Sequence, residues 1–122
     1  MIKIKRDSAE AKNEEDFQAI GLLCRDLLIS LAQAVYKPDL HGDVDDKGVT
    51  IGETDASRML NNYITVELKG GSNEELRSFA KSANKLANRL THERSATKKD
   101  MMLTISATVA VINLIGALEE KY

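Results

Sequence analysis

Histidine is the side chain that gives and takes protons near neutral pH, and this sequence holds two of them. His92 is the one in chemical company. Arg89, Glu93 and Arg94 surround it in the chain, and guanidinium groups beside an imidazole can hold a phosphate and stabilise its developing charge. His92, Arg89 and Arg94 are therefore the candidate catalytic residues, and a phosphate ester is the substrate chemistry they suit. The competing reading is structural, since a histidine at a helix C-terminus satisfies free carbonyls. His41 falls in a loop-like stretch with no evident partner.

Charge is unevenly distributed around this group. Between Arg77 and Lys99 seven cations meet one anion, a net charge of +6, whereas residues 1–76 carry −6 and residues 100–122 carry −2. Arg77, Lys81, Lys85 and Arg89 recur every four residues, which stacks them on one helix face. That row is the candidate nucleic-acid-binding surface; a merely solvated face is the alternative. The chain as a whole is at −2, so any contact with nucleic acid must be local.

Other constellations are weaker. Asp43-x-Asp45-x-Lys47-Gly48 resembles the start of a calcium loop, but Lys47 and Thr54 stand where that loop needs oxygen ligands. An acidic surface turn is the expected reading. Arg25 and Asp26 interrupt an apolar helical stretch, either as a solvent-facing ribbon or as a polar seam in which buried charges must be paired. Cys24, the one cysteine, excludes an internal disulfide and any multi-cysteine metal site. There is no Gly-rich phosphate loop, no Ser-His-Asp order and no metal-ligand spacing, so neither metal nor cofactor is expected.

Four main helices must position these residues. With 122 residues, 43% apolar and 30% charged, the composition is that of one globular domain. Asn13, followed by Glu14, Glu15 and Asp16, caps a first helix over 14–36, closed by Pro38. Residues 37–53 form one long loop, in which Val44 and Val49-Thr50-Ile51 could turn a small hairpin. Thr54 caps a second helix over 54–69, stopped by Gly70-Gly71. Ser72 with Glu75 reads as a capping box for a third helix over 73–91. That helix is expected to bury Leu76, Phe79, Ala80, Ala83, Leu86, Ala87 and Leu90. Thr97 with Asp100 caps a fourth over 98–119. Met101–Leu118 carries no charge and reaches the lower limit for a membrane span. Thr104, Ser106, Thr108 and Asn113 dilute it, so a buried bundle helix is expected and no membrane. The first and fourth helices are apolar on more faces than a lone bundle buries, which points to a homodimer. Residues 1–12 form a charged arm without the apolar run of a secretory signal, and a reduced cytoplasm fits the single cysteine.

Two long apolar helices framing a bundle, with a third ending in Asn84-Lys-Leu-Ala-Asn-Arg-Leu-Thr-His-Glu-Arg-Ser-Ala-Thr97, resemble the HEPN-type helical domains (higher eukaryotes and prokaryotes, nucleotide-binding) of bacterial abortive-infection and toxin–antitoxin proteins. The resemblance covers roughly residues 14–120. It implies an all-α bundle that contacts RNA, with metal-independent cleavage in which the RNA's own 2′-hydroxyl attacks. Active members place a longer segment between Arg and His than the two residues separating Arg89 from His92; Lys85 stands at the family distance. The resemblance therefore implies a degenerate ribonuclease. A non-enzymatic dimerisation or protein-interaction domain, docking a partner protein, is the alternative.

Overall fold

The computed structural model describes residues 12–93 and 97–120, and among them the chain is all-α. Local signals set most helix ends. α1 (Glu14–Val35) opens at Asn13, whose Oδ1 accepts from the Asp16 N–H at 3.0 Å. Its acidic first turn suits the positive end of the helix dipole. Tyr36 leaves the helix in extended backbone ahead of Pro38. α3 (Ala56–Glu67) is capped by the Asp55 carboxylate, which accepts from the Arg58 N–H at 3.2 Å. α4 runs Glu74–His92. α5 (Lys98–Leu118) is capped by Thr97 Oγ1, 3.1 Å from the Asp100 nitrogen.

Several expectations need correction. The connection after α1 is not a plain loop: Pro38–His41 forms a further one-turn helix, α2, with Pro at its first position, where a missing N–H costs nothing. The cap of α3 is Asp55 rather than Thr54. The capping box at Ser72 does not form; α4 is entered through a 3-10 turn at Gly71–Asn73, with no side-chain cap on its first turn. Of the arm, residues 1–11 lie outside the described residues. The expected hairpin is reduced to one bridge between Val44 and Thr50, turned at Gly48 with φ +78°.

The buried face of α4 also differs from expectation. Ala80 and Ala87 are buried as expected, but their companions are Asn84, Asn88 and Thr91, whereas Leu76, Phe79 and Leu86 are exposed. The face of α4 turned to the core is thus built of small side chains and of amides satisfied within the protein, and the larger apolar residues point outward.

α1 and α5 are each long and apolar enough, by length and composition, to cross a membrane. In the bundle they pack on one another and on α4. The main apolar cluster joins Leu28 and Ala32 of α1 to Met59, Leu60, Tyr63 and Ile64 of α3 and to Val111 and Ile115 of α5. Each large member contributes roughly 1.5–3 kcal/mol by leaving water. A smaller cluster of Phe17, Ile20, Cys24 and Met101 closes the end near the start of α1. Cys24 and Thr108 are both at 0% exposure. Burial pushes the Cys24 thiol above its ordinary range, and the Thr108 hydroxyl beside it acts in the opposite sense.

Candidate functional site

His92 is the last residue of α4, and one hydrogen bond fixes its ring. Nδ1 lies 2.6 Å from the Asn88 carbonyl oxygen. A carbonyl only accepts, so Nδ1 carries the proton and donates. In the neutral ring the lone pair then sits on Nε2, the atom a general base uses. Asn88 is fixed in turn. Its Nδ2 donates to the carbonyl of Asn84 at 2.9 Å and to Asn84 Oδ1 at 2.7 Å. Asn84 Nδ2 donates to the Ser57 carbonyl at 3.0 Å. This amide relay ties the end of α4 to the first turn of α3.

The relay borders a crease of about 310 Å³, lined by Arg25 and Ile29 of α1, Asp55 and Ser57 at the start of α3, and Asn88 and His92. A second hollow of about 290 Å³ shares Arg25 and His92 and adds Gln18, Leu22 and Thr91. Arg25 and His92 thus meet across one crease, from elements far apart in the chain. Arg25 and Asp26 are both exposed, as the solvent-facing ribbon requires, and of the two Arg25 alone lines the hollows. Arg89 lines neither; its Nη1 is 3.4 Å from Glu93 Oε1, with both side chains more than half exposed. Arg94 lies outside the described residues.

The cation row is less free than its charge suggests. Arg77 Nη1 donates to the Leu68 and Gly70 carbonyls at 2.7 and 3.0 Å, closing the C-terminal end of α3. Lys81 and Lys85 line a groove of about 440 Å³ whose opposite wall includes Asp45 and Asp46. Asp45 is already engaged. Its Oδ1 accepts from the Lys47 and Val49 N–H groups, each at 2.9 Å, and its Oδ2 meets Arg58 Nε at 3.0 Å. The Val49 bond foremost holds its carboxyl below the usual carboxylate range. These contacts account for the calcium-like spelling of the turn as Asx-type turn chemistry. Among the described residues, no three His, Cys, Asp or Glu side chains converge to hold a metal ion.

Sequence reasoning left His41 without a partner, and the structure gives it several. The residue is 6% exposed. Its Nδ1 accepts from the Lys37 N–H at 2.9 Å, so Nε2 carries the proton and donates to Glu67 Oε2 at 3.0 Å. The ring stacks on Tyr36 and leans on Tyr63, with centroids 6.0 and 5.1 Å away. Tyr36 in turn donates to the Gly42 carbonyl. With both nitrogens used and the ring covered, His41 is a structural residue. Its place four residues after Lys37, inside a Pro-started turn, was the local signal.

No family model, no curated protein and no solved structure matches this chain.

Proposed function

We propose that the chain is a HEPN-like helical module of a bacterial defence or toxin–antitoxin-type system, acting on RNA in the cytoplasm. Helical spacing puts Lys81, Lys85, Arg89 and His92 on one side of α4. Eleven residues at 1.5 Å each give that row a reach of about 16 Å. A single RNA strand lying along it ends at His92, with Arg25 opposite. The observation that carries this reading is the orientation of His92: Nδ1 is held by the Asn88 carbonyl, which leaves Nε2 to face a ligand. In the enzymatic version Nε2 takes the proton of a 2′-hydroxyl. The 2′ oxygen bonds to phosphorus, the bond to the 5′ oxygen breaks, and that oxygen leaves with a proton from water. Arg25 steadies the charge on the phosphoryl oxygens, together with Arg94 in the role the sequence assigns it.

The test is a fluorescent single-stranded RNA. His92→Ala is expected to end cleavage while leaving affinity within about twofold, because the imidazole acts on a proton rather than on a charge. Lys81→Glu with Lys85→Glu is expected to abolish binding, and wild-type affinity should fall steeply with salt. Cleavage persisting in His92→Ala overturns the catalytic role. A second reading, a non-enzymatic interaction domain, is favoured by the partners already held by Arg77 and Arg89 and by Asp45 and Asp46 opposite Lys81 and Lys85. It becomes the better account if wild-type protein neither binds nor cuts RNA at low salt.

A further inference from the structure

The apolar residues turned outward on α4 are not scattered. Leu76, Phe79, Ala83, Leu86 and Leu90 recur at alternating steps of three and four. That is the a/d seam of a two-heptad coiled coil. Leu76 and Leu86 are each 41% exposed and Phe79 is 58% exposed, while Ala83 and Leu90 are half-buried at the edge of the core. The other exposed large hydrophobics of the long helices are Leu22 on α1 and Met102 and Leu103 on α5; they form no such row. The sequence reading put an association surface on the first and fourth long helices, but the continuous apolar seam lies on α4.

The flanks of the seam select its occupant. On one side the e positions are Ala80 and Ala87, both buried in the chain's own core. On the other the g positions are Glu75, Ser82 and Arg89, all exposed. A parallel partner helix pairs g with e and would find no charge there. An antiparallel helix pairs g with g. A second copy of α4 lying antiparallel sets Glu75 against the partner's Arg89, Ser82 against the partner's Ser82, and Arg89 against the partner's Glu75. The same register stacks Leu76 on the partner's Leu86 and bulky Phe79 on the small side chain of the partner's Ala83. The sequence is thus complementary to itself in size and in charge, in one orientation.

We infer that this chain forms a twofold homodimer through antiparallel pairing of α4 with the partner's α4. The Arg89–Glu93 contact, 3.4 Å long and exposed, exchanges for the Glu75 pair at little cost. His92 lies on the opposite side of the helix, so the crease stays open in the dimer. The inference therefore stands whichever reading of the crease holds. Two heptads bury less than a standard interface, so the dimer is weak, with a dissociation constant on the order of 10 μM.

Sedimentation equilibrium from about 1 to 300 μM decides the matter, a range that brackets the expected constant. Wild type is expected to shift from monomer to dimer across it, and Phe79→Glu with Leu86→Glu to stay monomeric; both positions are exposed, and circular dichroism checks the fold. Wild type that is monomeric throughout, or a dimer that survives this double change, overturns the inference. Orientation is tested by charge reversal at exposed sites that do not touch the core. Glu75→Arg alone and Arg89→Glu alone are each expected to weaken the dimer roughly five- to twentyfold, and the two together to restore it, because each reversed residue then meets its opposite. A double variant as weak as the singles combined overturns the antiparallel register.

Discussion

His41 and His92 are the same side chain at two helix ends, and their surroundings give them opposite tautomers. At His41 a backbone N–H donates to Nδ1 and Nε2 donates to Glu67. At His92 Nδ1 donates to a backbone carbonyl, and among the described residues no hydrogen bond reaches Nε2. The first ring is clamped by two tyrosines; the second sits at a solvent-facing crease. Whether a histidine can do chemistry depends less on the charges beside it in the chain than on which nitrogen the backbone has already taken. Arg89 and Glu93 pair with each other rather than with His92, and the residue that meets His92 across the crease, Arg25, comes from another helix.

The largest effect is expected from removing the clamped ring. His41→Ala deletes a buried ring, its bond to Glu67 and the acceptor of the Lys37 N–H. Cavity and lost polar partners together should cost about 2–4 kcal/mol, read as a lower urea midpoint at unchanged slope. The contrast between the two sites breaks if His41→Ala is no more harmful than the same change at His92.

Next in size is Tyr63→Phe, which tests the wall behind His41. Tyr63 is 1% exposed and its hydroxyl donates to Glu119 Oε2 at 2.6 Å. The loss should be about 1–2 kcal/mol at neutral pH, since the bond is to a charged acceptor. Burial, then the bond to Glu119, then the charges of Glu119 and Glu67 push the phenol well above its ordinary value of 10.0. Below about pH 10 the phenol is protonated in both folded and unfolded chains, and its contribution is fully present. As pH rises further, the unfolded chain releases this proton before the folded one does, so stability falls until the folded phenol also ionises. Urea midpoints at pH 8, 9.5 and 11 should therefore drop more steeply in the wild type than in Tyr63→Phe. Equal slopes would mean that Tyr63 is not held neutral.

What the sequence made legible follows from the range of the interactions. The caps at Asn13 and Thr97 and the stop before Pro38 depend on neighbours within four residues, and they could be read directly. The outward turn of Leu76, Phe79 and Leu86 could not, because it depends on Asn84 finding the Ser57 carbonyl on another helix. A paired amide packs as well as a leucine, and apolarity alone cannot say that it is paired. His41 was legible only in its local half, the Lys37 contact four residues back; its bond to Glu67, 26 residues away, was not. The two carbonyl bonds of Arg77 were equally illegible, because a cation in a periodic row looks free until the carbonyls of the preceding helix are placed beside it. At the crease, His92 was visible from its sequence neighbours, whereas its sharing the hollows with Arg25 rather than with Asp26 or Arg89 depended on how α1 packs against α4.

The smallest stability effect, and the most direct reading of the contrast, is at His92 itself. His92→Ala removes an exposed ring and one bond to a carbonyl that also accepts from the Thr91 hydroxyl at 3.0 Å. That carbonyl keeps a partner, so the cost should be about 0.5 kcal/mol or less, near the edge of what urea unfolding resolves. The ring reports more than the melt does. Nitrogen chemical shifts in the neutral form separate a protonated Nδ1 from a protonated Nε2. His92 should read as the Nδ1–H tautomer and His41 as the Nε2–H tautomer in the same sample. Reversed or mixed tautomers at His92 would put the proton on the atom that faces the crease. The ring would then be a donor there rather than a base, and its place in proton transfer from a 2′-hydroxyl would fall, with the fold untouched.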